Sequence, residues 1–217
     1  VNSVTICAGE SATLTASGGS PYTWAPGGEA TTSITVSPAS TTSYSVSGGT
    51  CPSNGVGTVT VNPIPTSPFT VTPVCVGFGS TITYTGNASP TDTYAWNFGG
   101  GTVISGSGQG PYSVSWPTSG SKNVSLTVTV GTCTSTPTTN PVTVNPPPVV
   151  TVTPTTVCIG TSGTITAAGA STYVWSNTTA SASLSDAPAA TTSYTVTGTD
   201  ANGCTGSAVG TITVTPL

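Results

Sequence analysis

Ser125-Leu126-Thr127-Val128-Thr129-Val130 alternates hydroxyl and apolar side chains with a period of two. Successive side chains of an extended strand point to opposite faces, so this stretch offers one face to a core and one to water. The same pattern stands at Ser33-Ile34-Thr35-Val36, at Thr41-Thr42-Ser43-Tyr44-Ser45-Val46 and at its twin Thr191-Thr192-Ser193-Tyr194-Thr195-Val196. Gly and Pro interrupt the strands every roughly 8–12 residues, and no helical period appears. The reading is antiparallel β-sheet with one buried face.

Moving outward, the chain repeats itself three times. Each segment opens on a Cys-x-Gly phrase (Ile6-Cys7-Ala8-Gly9, Val74-Cys75-Val76-Gly77, Val157-Cys158-Ile159-Gly160) and passes through a Tyr-x-Trp (Tyr22/Trp24, Tyr94/Trp96, Tyr173/Trp175). A late cysteine follows, Cys51, Cys133 or Cys204, and a Thr-Val-Thr-Val-like strand closes each segment. Such self-similarity marks a tandem array. Proline clusters at Asn62-Pro63-Ile64-Pro65-Thr66-Ser67-Pro68 and Asn145-Pro146-Pro147-Pro148 set the expected boundaries: a first domain over 1–65, a second over 66–147 and a third over 148–217. Proline fixes φ and removes a donor, so these joints read as semi-rigid spacers that lay the domains end to end.

About seven short strands per domain suit a small immunoglobulin-like sandwich with a buried tryptophan on its third strand, a place that Trp24, Trp96 and Trp175 would fill. The fold class is therefore all-β, three tandem immunoglobulin-like β-sandwich domains. The tyrosines at 44 and 194 stand where such a domain has its tyrosine corner. Val46 and Val196 occupy the place where an antibody domain would carry the cysteine of its disulfide.

Six cysteines, two per segment with no His and no CxxC pair, point to disulfides in an oxidising compartment and away from zinc. One early and one late cysteine per segment predict Cys7–Cys51, Cys75–Cys133 and Cys158–Cys204, each stapling one end of its own sandwich and contributing about 4 kcal/mol on the chain-entropy model.

Composition excludes several functions. One Lys, no Arg, no His and five carboxylates leave the chain only 3% charged. Nucleic acid is excluded as a partner, because nothing is present to neutralise phosphates. Membrane insertion is not expected, since no run of about 18 apolar residues exists. Nothing at the start resembles a signal peptide, so the residues read as a mature or excerpted chain. Catalysis lacks its parts: Lys122 stands alone, Glu10 and Glu29 fall in the first segment, Asp92 in the second, Asp186 and Asp200 in the third, and no pair recurs between repeats. The chain is read as non-enzymatic, with no catalytic residue, metal or cofactor. Asp200-Ala201-Asn202-Gly203 reads as a hairpin turn in preference to a calcium loop. Gly106-Ser107-Gly108-Gln109-Gly110 reads as a turn because it opens no helix.

Residues 94–101, Tyr-Ala-Trp-Asn-Phe-Gly-Gly-Gly, followed by 106–116 ending in Tyr112-Ser113-Val114-Ser115-Trp116, carry a family likeness. The middle segment resembles the PKD-like variant of the sandwich, with Gly100 standing where many such repeats carry aspartate. The outer two resemble bacterial Ig-like repeats. The resemblance implies a place in the long secreted surface proteins, adhesins and fibres of Bacteroidota-type gliding bacteria.

The 30 Ser and 49 Thr supply neutral polar surface in place of charge. Asn87, Asn123 and Asn177 begin Asn-x-Ser/Thr sequons and are candidate glycosylation sites, so covalent glycans are expected. The chain begins inside strand sequence and stops where a linker would start, so its expected partner is itself, in a head-to-tail filament or a longer repeat chain. The expected function is a structural module of an extracellular filament, stalk or adhesin. The alternative is a polysaccharide-binding accessory array of a secreted enzyme, which would need a row of exposed aromatics.

Overall fold

A computed structural model describes residues 1–48 and 53–216, and within them every regular element is a β-strand. The first segment carries β1 (Val4–Cys7), β2 (Ala12–Thr15), β3 (Tyr22–Ala25), β4 (Ser33–Val36), β5 (Thr42–Gly48) and β6 (Ser53–Asn62). The second carries β7 (Phe69–Val71), β8 (Val74–Cys75), β9 (Ser80–Tyr84), β10 (Thr93–Asn97), β11 (Thr102–Ser105), β12 (Tyr112–Ser115), β13 (Gly120–Val130), β14 (Cys133–Thr134) and β15 (Thr138–Asn145). The third carries β16 (Thr151–Thr153), β17 (Thr155–Cys158), β18 (Gly163–Ala168), β19 (Thr172–Trp175), β20 (Ser183–Asp186), β21 (Thr192–Thr199) and β22 (Thr205–Thr215).

One architecture recurs. The larger sheet runs β1-β6-β5-β3, β8-β15-β13-β10 and β17-β22-β21-β19 in the three domains. Its first strand lies parallel to the last, whereas the other pairs are antiparallel. The facing sheet is β2-β4 in the first domain, β7-β9-β12-β11 in the second and β16-β18-β20 in the third. This is the immunoglobulin-like sandwich, lacking in the third domain a counterpart of β11 and in the first, among the described residues, counterparts of both β7 and β11.

Period-two patterning produces the burial directly: β18 alternates strictly between buried and exposed positions, as does β21 from Ser193 to Gly198. Three separate cores result. Leu14, Trp24, Ile34 and Val59 centre the first, Ile82, Val114, Trp116 and Leu126 the second, and Ile165, Trp175, Leu184 and Ile212 the third. On the outer faces hydroxyls pair across strands, as in Thr13 with Thr35, Ser43 with Thr58, Thr129 with Thr134 and Ser193 with Thr211. Such cross-strand pairs let an almost uncharged sheet keep a hydrated face.

The tryptophan expectation needs one correction. Trp24 and Trp175 are buried on the equivalent strands β3 and β19, each donating its indole N–H to a backbone carbonyl, of Thr31 and Ser181 respectively. In the middle domain Trp96 does lie on the equivalent strand, β10, but is only half-buried; the fully buried tryptophan is Trp116. Its indole N–H donates to the Phe98 carbonyl. Gly101 makes the room, since a Cβ there would fall 2.7 Å from that indole.

Candidate functional site: the cysteine joints

The disulfides run between domains. Cys7 bonds to Cys133 and Cys75 to Cys204, each with Cα atoms 5.5 Å apart. The pairings Cys7–Cys51, Cys75–Cys133 and Cys158–Cys204 are therefore corrected. Cys158 is a free, exposed thiol, and Cys51 lies outside the described residues.

Topology forbids the pairing within the second and third domains. In the third domain Cys158 is opposite Thr215, the last residue of β22, while Cys204 precedes the first residue of that strand. The 11 residues of β22, at about 3.3 Å each, separate the two by roughly 36 Å, against a disulfide limit of about 7 Å. In the second domain Cys75 is opposite Asn145 at the end of β15, and Cys133 pairs with Val130 at the far end of β13. In these two domains the early cysteine thus marks one pole of the sandwich and the late cysteine the other. A bond from early to late joins the facing poles of successive domains.

The Cys-x-Gly phrase has a local reason. After each early cysteine the next residue donates its N–H to the end of the last strand: Ala8 to Asn62 (2.9 Å), Val76 to Asn145 (3.0 Å), Ile159 to Thr215 (3.1 Å). The cysteine carbonyl then accepts from the residue three further on, Glu10, Phe78 or Thr161, closing a β-turn. Its third position needs positive φ, and Gly9, Gly77 and Gly160 supply +88°, +82° and +81°. In the first domain the Glu10 carboxylate also accepts the Cys7 N–H.

The late frame is clearest at Cys204. The Asp200 carboxylate accepts N–H groups from Asn202 and Cys204, and Asp200 N–H donates to the Cys204 carbonyl, so the acid caps the β21–β22 turn. Cys204 and Cys133 are buried.

Asp92 and Asp186 also serve backbone or tyrosine. Asp92 accepts the Ser89 N–H. Asp186 accepts the Tyr194 hydroxyl and the Ala187 N–H, which hold its carboxyl below the ordinary value; the same bond to Asp186 is the main reason that the Tyr194 phenol is pushed up to about 12. Among the described residues no three His, Cys, Asp or Glu gather as a metal site. No helix there is long and apolar enough to cross a membrane.

The sequon asparagines are all exposed. Asn87 accepts from Thr66 N–H and hydroxyl, Asn123 lies on β13 opposite Pro141, and Asn177 accepts the Thr179 N–H in the turn after β19. The structure brings none of them together.

One aromatic cluster escaped the linear reading. Trp96 stacks on Phe98 (centroids 5.8 Å) and meets Phe69 and Tyr112 edge-on. The 106–110 turn closes over it, the Gly108 carbonyl accepting both the Trp96 indole N–H and the Tyr112 hydroxyl. The alternating aromatics at 94, 96 and 98 were the available signal.

No family model matches the chain, and no curated protein does. Solved structures do match. Across 99% of this chain and 96% of the other, it superposes on three titin immunoglobulin domains, I67–I69 in an E-to-A mutated variant, with a TM-score of 0.53 and 16% identity. It also matches the N-terminal eight immunoglobulin domains of the Down Syndrome Cell Adhesion Molecule at TM-score 0.49 and 15% identity, spanning only 36% of that chain. Sidekick-1 immunoglobulin domains 1–5 match at TM-score 0.39 and 15% identity, with 58% of that chain spanned. Sheet order, core and the titin superposition together define the class: a tandem array of immunoglobulin-like β-sandwich domains. Its two disulfides suit an oxidising setting.

Proposed function

We propose that the chain is a structural repeat of an extracellular bacterial filament, stalk or adhesin, with domains divided near 65 and 147, assembled head to tail and glycosylated. The observation that carries this reading is the pole-to-pole disulfide. A bond inside each sandwich would stabilise that sandwich alone, whereas Cys7–Cys133 and Cys75–Cys204 restrain the angle between neighbours. Stiffness along the array is a mechanical property, of use to a fibre or stalk. Edge strands such as β3 and β19 are available for further pairing, and a chain with so few charges has little to block it.

The polysaccharide-binding alternative gains little support. Its best candidate rings, Trp96 and Tyr112, have their polar atoms engaged by the Gly108 carbonyl and their rings packed on each other. Phe78, the most exposed aromatic at 63%, stands apart from that cluster.

Electron microscopy of native material tests the proposal. Regular filaments or long beaded strands are the expected result, and separate 217-residue monomers at high concentration would overturn it.

A further inference from the structure

Cys158 has every backbone feature that Cys7 and Cys75 use. It ends a short strand parallel to the last strand of its domain, is followed by the same N–H bond to that strand, and opens the same glycine turn. In the first two domains this frame holds the late cysteine of the following domain. In the third it presents a free, exposed thiol beside Ile159, which is 48% exposed. By sequence Cys51 falls between β5 and β6, as Cys204 falls between β21 and β22, so it is the late cysteine of the first domain.

We propose that Cys158 forms a disulfide with Cys51 of a second copy of this chain, repeating between copies the joint made twice within one. The proposal rests on the head-to-tail reading and names its contact. A Cys158 thiolate attacks a disulfide oxidant, giving a mixed disulfide and releasing one thiol; the Cys51 thiolate of the second copy displaces the other. Two protein thiols lose two electrons and two protons, and the oxidant leaves as two thiols. The polymer is covalent along its whole length, yet opened by reductant.

The whole chain, concentrated with oxidised glutathione, is expected to form a ladder of multiples on a gel without reductant and a single band with it. Trypsin can cut only at Lys122, so thermolysin at acidic pH serves to map the bonds. A Cys158 peptide joined to a Cys51 peptide is expected from the multimer bands. Cys158→Ser should abolish the ladder while leaving Cys7–Cys133 and Cys75–Cys204 intact. A Cys158–Cys158 peptide, a Cys158–Cys51 bond confined to the monomer band, or a Cys158 that alkylates fully in filaments seen by microscopy would each overturn the proposal and leave the filament reading standing. Separate monomers with alkylatable Cys158 in concentrated native material would overturn both.

Discussion

Cys75 at one pole of the second domain is bonded to Cys204 at the opposite pole of the third, and Cys7 stands in the same relation to Cys133 one domain earlier. The two bonds span nearly equal lengths of chain, 129 and 126 residues. One joint is made twice, so its loss should act on the relation between domains more than on any one of them.

Cys133→Ser should therefore leave the β-sheet circular dichroism of the chain unchanged while widening the distribution of end-to-end dimensions in small-angle scattering. The lost constraint on the unfolded chain is worth up to about 5 kcal/mol on the chain-entropy model. An unchanged scattering profile would mean that the proline linkers alone hold the angle.

Gly77→Ala tests the turn that presents Cys75. A Cβ at 77 would meet nothing within 4 Å, so the cost comes from its φ of +82° alone. About 1–2 kcal/mol of destabilisation is expected, read by chemical denaturation, with slower formation of Cys75–Cys204 on refolding.

The tryptophans should separate by burial. Trp24→Ala, Trp116→Ala and Trp175→Ala each empty a core and should cost about 3–5 kcal/mol in the domain concerned. Trp96→Ala, from a half-buried stack, should cost less in the same denaturation experiment. Equal losses at 96 and 116 would contradict the packing.

Tyr194 and Asp186 give the third domain two opposed pH dependences. The tyrosine's raised pKa stabilises fully below the ordinary phenol value of about 10, and this is lost as pH rises through about 12. The carboxyl's lowered pKa stabilises above its ordinary value, and this is lost as pH falls through the lowered one. Tyr194→Phe should flatten both limbs in pH-resolved thermal unfolding, and ultraviolet titration should lose its last-ionising phenol.

Native material should weigh more than the 21.0 kDa polypeptide. Sugar is expected on Asn87, Asn123, Asn177 or the Thr-rich loops, all three asparagines being exposed. An unmodified intact mass would exclude it.

Strand identity was legible because period-two alternation is local: Ser125 to Val130 specifies its buried face without knowing its neighbours. The repeat was legible in the Cys-x-Gly phrases, and the glycine's role follows from three residues of context. The interior tryptophan of the middle domain was not legible, because Trp116 enters the core through a gap that Gly101 leaves beside it. Nor was the disulfide pairing. Two cysteines per repeat suggest one bond per repeat, and spacing along the chain contains nothing to contradict it. Only the parallel placement of β8 and β17 beside the last strand of each sandwich decides the matter: it carries the early cysteine a full strand length from the late one, and the sulfur that bonds Cys7 or Cys75 belongs to the next domain.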